Sequence, residues 1–234
     1  MIPPADNETR WFWLDSGPGA AAWNMAMDHA LLEGSSSRGA PILRFYSWAE
    51  PAATFGLLQR YADAARWTML RPLIRRPTGG GLVPHLDDWT YSIAIPPGHP
   101  WYARRAADSY RLLHAWIQSA FAILGLDTQL APARQTDAPG QCFMGAEAGD
   151  LLWHGRKLAG AAQRRTRQGL LIQGSIQPPP PRLNPIDWQT SMRQSGADRG
   201  RIAWSPFNTP APLSAKVEEL IRDRYGRAEY NEKR

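Results

Sequence analysis

The sequence predicts an α+β fold, and three observations support this prediction. Strand-like segments rich in β-branched and aromatic residues are interrupted by well-separated helical segments. With 43% apolar and 21% charged residues, the chain can bury a sizeable core. Its 234 residues suit one large domain, and no internal repeat is visible.

The N-terminal third of the chain predicts strands around one amphipathic helix. In that helix Trp23, Met27 and Leu31 recur at helical spacing, and Gly34 ends it. We expect the segment 53–57 to pair with the strand 42–48. The predicted elements are a strand at 11–15, a helix at 20–32, a loop at 35–39, the strands 42–48 and 53–57, and a short helix at 59–67.

The middle of the chain contains three consecutive glycines, at 79–81, inside the segment RRPTGGG of residues 75–81. Such a run suits neither a helix nor a regular strand, so it predicts a special loop. A strand at 89–96 follows, and then the longest amphipathic helix, at 103–124, which Gly125 ends.

The last part of the chain predicts a β-meander followed by helices. A loop rich in Ala, Pro and Gly precedes Cys142, and the polar tail is expected to fray. The elements are strands at 150–154, 156–163 and 169–177 and helices at 186–193 and 214–225. We therefore expect a single domain over residues 11–225, with 177–225 as a short C-terminal extension and 1–10 and 226–234 as flexible termini.

Composition excludes several classes of protein. Cys142 is the only cysteine, so no internal disulfide can form, and the Cys/His spacing of a structural zinc site is lacking, so no metal site is expected. No apolar run reaches the roughly 18 residues of a membrane span, and the polar start is not a signal peptide. A cytoplasmic location is expected. The net charge of +6 favours acidic partners.

Four segments could carry chemistry. The glycines of residues 75–81 let a ligand approach the backbone, and Arg75 and Arg76 add positive charge. In the strand 156–163, Lys157, Ala159 and Ala161 would share one face, where small side chains leave room for an acyl group or a phosphate. Taken singly, these segments also fit a flexible turn and an edge strand with a solvated lysine.

The other two segments are QGSI at 173–176, where glycine permits close packing, and the loop that carries Cys142. A covalent acyl intermediate requires an accessible thiolate with a depressed pKa. For a single cysteine with no other information, an inert thiol is the favoured interpretation.

In combination and in this order, the segments resemble the superfamily of biotin/lipoate ligases and lipoyl-octanoyl transferases. The resemblance runs from about residue 11 to 176 and implies a mixed, largely antiparallel sheet flanked by helices. The matching segments are NMAMD at 24–28, LRFYSW at 43–48 with Pro51 and Gly56, RRPTGGG at 75–81, GRKLAGAAQRR at 155–165 and QGSI at 173–176.

Within this superfamily the sequence is most similar to cysteine-dependent octanoyltransferases. The dipeptide Cys142-Phe143 resembles the one that carries their nucleophile, and LDDWTYS at 86–92 resembles their acidic-x-x-Thr-Tyr-Ser segment. The alternative is an ATP-dependent lipoate–protein ligase, which would need ATP and Mg²⁺. Gly81 fits the ligases, because transferases often carry Arg there.

The resemblance implies an acyltransferase of lipoate metabolism that needs no cofactor. An octanoyl or lipoyl group would pass from acyl carrier protein, or another acylated carrier, to Cys142 and then to a lysine of a lipoyl domain or glycine-cleavage H protein. Lys157 would assist Cys142 in catalysis. The implied substrate-binding residues are Arg75, Arg76, Thr78, Gly79, Gly80, Gly81, His85, Gly160, Ala161, Gln163, Gly174 and Ser175.

A non-catalytic binding module remains a further alternative. Arginines are plentiful, and Trp11, Trp13 and Trp67 could stack on bases. The sequence lacks a basic run and a nucleic-acid motif, and tryptophan more often fills protein cores, so nucleic acid is not the favoured partner.

Overall fold

The computed structural model describes residues 9–136, 143 and 145–233. Its strands are β1 (Thr9–Gly19), β2 (Ile42–Trp48), β3 (Ala52–Phe55), β4 (Leu73–Arg75), β5 (Val83–His85), β6 (Trp89–Ile95), β7 (Gln129–Leu130), β8 (Gln135–Thr136), β9 (Gly145–Ala146), β10 (Leu151–Trp153), β11 (Arg156–Thr166), β12 (Gly169–Ile176) and β13 (Ile202–Pro206). Its helices are α1 (Ala21–Glu33), α2 (Ser35–Arg38), α3 (Tyr61–Trp67), α4 (Pro100–Ala103), α5 (Ala106–Ile123), α6 (Pro185–Gly200), α7 (Ala211–Leu220) and α8 (Ala228–Asn231), with a π-helical turn at Ile221–Tyr225.

An eight-stranded mixed sheet organises the molecule. Its order is β13-β1-β2-β6-β12-β11-β10-β7. The pairs β13/β1 and β1/β2 are parallel, and every later pair is antiparallel. This confirms the predicted α+β class with a mixed, largely antiparallel sheet.

Helices cover both faces of this sheet. On one face, α4, α5 and α6 pack over side chains such as Phe45, Tyr91 and Ile172. On the other face, α1, α7 and the π-helical turn pack over Ile42, Tyr46 and neighbouring residues. Because successive side chains of a strand point to opposite faces, β2 contributes to both cores.

The segment 53–57 does not pair with the strand 42–48, so that prediction is wrong. Strand β3 pairs parallel to β4 and antiparallel to β5 in a separate three-stranded sheet. The physical reason is that β1 and β6 already occupy both edges of β2. The small sheet has a core of its own, which includes Phe55, Leu73 and Leu82.

The C-terminal part of the chain is integrated into the domain. Strand β13 forms an edge of the main sheet, and α6 buries Trp188 and Met192 in the core beside α5. The tail was expected to be flexible, but α8 is docked and Asn231 is 7% exposed. Hydrogen bonds to Arg75, which sequence periodicity cannot show, hold it there.

Two smaller points complete the fold. Residues 35–39, expected as a loop, contain the helical turn α2, which ends at Gly39 in the left-handed conformation. Among the helices that the structure describes, none has the length and apolarity to cross a membrane.

Candidate active site

A pocket opens where the small sheet, the end of β2 and strands β11 and β12 meet α1. Met25 and Tyr46 form its apolar walls, together with Trp48 and Val83. Of the residues predicted from sequence, Arg76, His85, Lys157, Gly160, Ala161, Gly174 and Ser175 line it. A wider groove of about 940 Å³ adjoins it and shares Phe143 and Lys157.

Lys157 is held in the pocket wall by a buried carboxylate. Its Nζ lies 2.8 Å from Asp150 Oδ2, and the side chains are 8% and 0% exposed. The same oxygen accepts a hydrogen bond of 2.7 Å from the Glu147 N–H, and the Tyr110 hydroxyl donates to Oδ1. A buried ion pair satisfied in this way fixes the position of the ammonium group.

Tyr110 completes this arrangement from helix α5. Burial, and then the negative charge of Asp150, raise the pKa of the Tyr110 hydroxyl above its ordinary value, so it remains a neutral donor. Its oxygen in turn accepts from the Ala161 N–H at 3.3 Å. The tyrosine therefore joins the carboxylate to strand β11.

Gly160 provides the space that Lys157 occupies. A Cβ atom at position 160 would lie 2.6 Å from Lys157 Cε and 2.8 Å from Nζ. The prediction that Ala159 faces the pocket is wrong, because Ala159 lies in the core with helix α5. The pairing of β10 and β11 shifts between Leu151 and Leu152, which breaks strict alternation along β11.

Cys142, the predicted nucleophile, lies outside the described residues. Phe143, the next residue in the chain, lines both the pocket and the groove. The Lys157 ammonium lies 4.8 Å from the centre of its ring. This cation–π contact brings Phe143 and Lys157 together, as the sequence prediction requires.

His85 belongs to a buried polar network at the back of the pocket. Its Nδ1 lies 2.9 Å from Asp88 Oδ2 and its Nε2 lies 2.9 Å from Thr54 Oγ1. The hydroxyls of Thr90 and Ser175 also donate to Asp88 Oδ2, at 2.8 and 2.6 Å. The imidazole ring is thus fixed at both nitrogens.

The charge of Asp88 is stabilised by these contacts. Burial raises the pKa of the Asp88 carboxyl, but the neighbouring His85 and the three hydrogen bonds outweigh burial and hold this pKa below its usual value. Trp48 stacks on the His85 ring with centroids 3.8 Å apart, which covers the network on the pocket side.

The loop that contains Gly79, Gly80 and Gly81, here called the glycine loop, is bound by Arg76. Its guanidinium donates to the carbonyl oxygens of Gly79 and Gly81 at 2.6 and 2.7 Å. Gly80 has φ +82°, and its carbonyl oxygen would lie 2.0 Å from a Cβ at Gly56. The loop therefore requires glycine at 80 for its backbone conformation and at 56 for close approach.

Six predicted binding residues lie outside the pocket lining, namely the loop glycines Gly79, Gly80 and Gly81 together with Arg75, Thr78 and Gln163. Arg75 is fully buried and donates to the Asn231 carbonyl at 2.9 Å. Gln163 bonds Ser109 and Ala106 on helix α5, because it points to the opposite face of the sheet. Thr78 is buried, and its hydroxyl donates to Gln173 Oε1 at 2.7 Å, so it supports the wall from behind.

Sequence reasoning missed a second buried network beneath the pocket. Asp28 Oδ1 lies 2.6 Å from Arg44 NH1, and both side chains are 0% exposed. Asp28 also accepts from Tyr46, Ser92 and, at 2.7 Å, the Gln173 side-chain amide. Both Asp28 and Arg44 lie in segments that carry the resemblance, which is the signal that could have singled them out.

Asp150 was also missed, although the hairpin offers a signal for it. The turn at His154 and Gly155, both with positive φ, pairs Leu152 with Lys157 and Leu151 with Ala159. A polar residue just before Leu151 is therefore brought beside the lysine. Tyr110, on a distant helix, has no comparable signal.

The described part of the chain contains no candidate metal site. Within that part, no three His, Cys, Asp or Glu side chains are grouped so that they could hold a metal ion.

Known proteins with similar sequences share this region. The lipoyl protein ligase A/B catalytic domain matches residues 20–177. Octanoyltransferase LipM of Anoxybacillus flavithermus is 33% identical over 179 residues, which cover 71% of this chain and 64% of that protein. LipM of Bacillus subtilis is 32% identical over the same shares. The chain thus spans about two thirds of the length of these relatives.

Solved structures show the same fold. Protein Ta0514 of T. acidophilum, described as a lipoate protein ligase, has a TM-score of 0.80 at 18% identity, covering 97% of this chain and 100% of that one. Lipoate-protein ligase A bound with ATP has a TM-score of 0.78 at 18% identity, covering 97% and 99%. With more than half of its length matched by the catalytic domain, this chain belongs to the lipoyl protein ligase A/B family.

Proposed function

We propose that the protein is a protein-lysine acyltransferase that moves an octanoyl or lipoyl group through a thioester on Cys142. The observation that carries the proposal is the contact between Phe143, which follows Cys142 in the chain, and the ammonium of Lys157. The similarity to octanoyltransferases LipM supports the same reaction.

The reaction has two balanced steps. In the first, the Cys142 thiol gives up its proton, the thiolate attacks the carbonyl carbon of the donor thioester, a C–S bond to Cys142 forms, the C–S bond to the donor breaks, and the leaving donor thiolate takes up that proton. In the second, the amine of the acceptor lysine attacks this thioester, an amide bond forms, and the Cys142 thiol is released. Dividing the transfer in this way predicts ping-pong kinetics.

Lys157 would favour the thiolate through its positive charge. A nearby cation lowers the pKa of a cysteine thiol. Asp150 compensates the lysine charge in the free protein and fixes its ammonium group 2.8 Å away. Lys157 would then stabilise negative charge on the thiolate or on the acyl oxygen without a conformational search.

The lining of the pocket suits an unbranched aliphatic chain, but its volume of about 50 Å³ admits only part of an octanoyl group, so the rest of the chain would extend into the adjoining groove. Met25, Tyr46 and Val83 offer apolar surface, and the small residues Gly160 and Ala162 leave room above the sheet. Two cationic or titratable groups around it already have partners, since Arg76 is bound to the glycine loop and His85 to Asp88. Arg76 and the loop would shape the acyl site rather than bind an anion.

The wider groove suits the carrier partners. It reaches Lys157 and Phe143 from the surface and is lined by Leu86, Trp153 and Pro178. A carrier's flexible arm and then an acceptor lysine could approach the thioester along it. The net charge of +6 would speed encounter with acidic acyl carrier and lipoyl domains.

The test is intact-mass analysis after incubation with octanoyl-carrier protein, without ATP. We expect a mass gain of one octanoyl group that hydroxylamine removes. Cys142→Ser should abolish it, and Lys157→Met should slow it by about 10²–10⁴-fold. Lys216→Met, which changes a surface lysine paired with Glu33 and Glu219, is the matched control. Full transfer by Cys142→Ser would refute the nucleophile assignment.

ATP-dependent ligation is the second candidate function. The fold similarity to lipoate-protein ligase A bound with ATP, together with glycine at 81, favours it. This reaction would need ATP and Mg²⁺ and would form an acyl-adenylate from the free acid. Pyrophosphate release that depends on free lipoate or octanoate, with Cys142→Ser fully active, would establish it in place of the transferase.

A further inference from the structure

The C-terminal residues 221–231, here called the C-terminal strap, bridge the two parts of the molecule that form the acyl pocket. One end is attached to helix α1, where the Tyr225 hydroxyl lies 2.9 Å from His29 Nδ1 and the tyrosine is 0% exposed. The other end is attached to strand β4 through Asn231. Helix α1, through Met25, and the small sheet, through Thr54, Val83 and His85, both contribute to the lining of the pocket.

Asn231 uses all of its polar groups in this attachment. Its Oδ1 accepts from the Arg75 backbone N–H at 2.9 Å, and its backbone carbonyl accepts from the Arg75 guanidinium at 2.9 Å. Its side-chain amide donates to the carbonyls of Tyr225 and Arg227, both at 3.0 Å. The residue therefore joins the strap's own fold to strand β4.

Arg75 also binds the turn that follows β3, at residues 56–60. Its guanidinium also donates to the carbonyl oxygens of Leu57 and Gln59, at 3.0 and 2.6 Å. The Gln59 side chain accepts from the Gly56 N–H at 2.9 Å. Gly56 is the residue against which the Gly80 carbonyl packs.

The glycine loop is thus held from two sides. Arg76 binds the carbonyls of Gly79 and Gly81 from the pocket side. Arg75 and Asn231 fix the turn on which Gly80 rests. Because the Asn231 side chain binds the backbone of Arg75, its loss would loosen the end of strand β4 and, through Arg75, the turn on which Gly80 rests.

We propose that Asn231 is a positioning residue of the acyl pocket and that the C-terminal strap sets the geometry of the glycine loop. This inference rests on the proposed acyl transfer for its effect on activity, but not for its effect on the structure. It assigns the strap a role in the affinity and chain-length preference for the acyl group. The chemistry at Lys157 does not depend on it.

The first test is hydrogen–deuterium exchange on Asn231→Ala, compared with the wild type and with Glu229→Ala, an exposed neighbour on the same turn. We expect faster exchange in residues 54–60 and 73–82 of Asn231→Ala only, with strand β12 unchanged. The proposal would be overturned if Asn231→Ala exchanged at the wild-type rate in both segments. It would also be overturned if exchange in this variant rose uniformly across the chain. The outcome does not depend on which acyl reaction the protein performs.

The second test is steady-state transfer with acyl donors of different chain length. We expect the KM of Asn231→Ala for the octanoyl donor to rise about tenfold, with kcat and its pH profile unchanged and weaker preference among chain lengths. A fall in kcat at unchanged KM would contradict a positioning role. If Asn231→Ala does not fold, Asn231→Asp replaces it, because this variant keeps the acceptor for the Arg75 N–H. Its KM for the octanoyl donor should rise by a smaller factor.

Discussion

The two faces of the central sheet are built from different chemistry. On the face covered by α5 and α6, tryptophans dominate, and Trp11 makes edge contacts with Trp101, Trp116 and Trp204. On the face covered by α1, a buried network centred on Asp28 and Arg44 lies beneath the pocket. The tryptophan core of the first face is apolar, although helix α5 on that side also carries the Tyr110 hydroxyl that donates to Asp150, whereas the second face supports the pocket wall.

This difference separates stability from function. Burial of large aromatic side chains supplies much of the free energy of folding. A buried ion pair contributes little net stability but fixes the orientation of its members. We therefore expect changes of the tryptophans on the first face to affect folding alone, and changes in the Asp28 network on the second face to affect both folding and acyl transfer.

The largest expected effect is that of Trp116→Ala. Trp116 is 1% exposed, and its removal leaves a large cavity, so the free energy of unfolding should fall by about 3–5 kcal/mol. The rate of acyl transfer per folded molecule should stay at the wild-type value. Urea unfolding and active-site titration measure the two quantities. Trp67→Ala, at a residue 38% exposed, is the control and should cost far less. A loss of activity in folded Trp116→Ala would contradict the separation.

Asp28→Asn should have the next largest effect, and on both properties. It leaves the buried Arg44 charge without a carboxylate, which should cost about 3 kcal/mol. It also weakens the acceptor of the Gln173 amide in the pocket wall, so transfer by the folded protein should slow. Adding Arg44→Met should recover part of the stability but none of the activity. Wild-type transfer rates in folded Asp28→Asn would show that the network serves stability alone.

The smallest expected effect concerns His114, a polar residue of helix α5 that is buried on the tryptophan face. Burial lowers the pKa of its imidazole from 6.5 to about 4. Below pH 6.5 the unfolded chain therefore binds a proton that the folded protein does not. Stability is fully present above that pH and is lost as the pH falls toward 4.

The measurement is urea unfolding of the wild type and His114→Gln at pH 7 and pH 5. The free energy of unfolding of the variant should fall by about 1–2 kcal/mol less than that of the wild type over this interval. His29 and His99, whose pKa values burial also lowers to about 4, should retain the rest of the acid sensitivity. Identical falls in the two proteins would mean that His114 is accessible to protons in the folded state.

Local pattern was sufficient for most of the fold. The apolar spacing of α1 and α5, the β-branched and aromatic run of β6, and the meander β10–β12 are all present in the structure close to their predicted positions. These elements could be predicted because each has one apolar face and a clear glycine or turn at its end. The pairing of β3 could not, since it depends on which edges of β2 are free.

The predicted site was recovered in part, for a related reason. Lys157, Gly160 and Ser175 lie in strands whose sequence carries the resemblance, and all three line the pocket. Gln163 shares that sequence but points to helix α5, because side-chain direction depends on the register of the strand. For the same reason Arg76 lines the pocket, whereas Arg75, its neighbour in the chain, points away from it.

By itself, the sequence determined the α+β class, the order of most elements, the glycine loop and the residues that resemble the lipoyl ligase and transferase family. Only the tertiary structure decided which groups meet. It placed Asp150 and Tyr110 around Lys157, Asp28 against Arg44, and Asn231 on Arg75 across 156 positions of sequence. The physical reason is that buried charges and buried backbone groups need partners, and packing can draw those partners from any part of the chain.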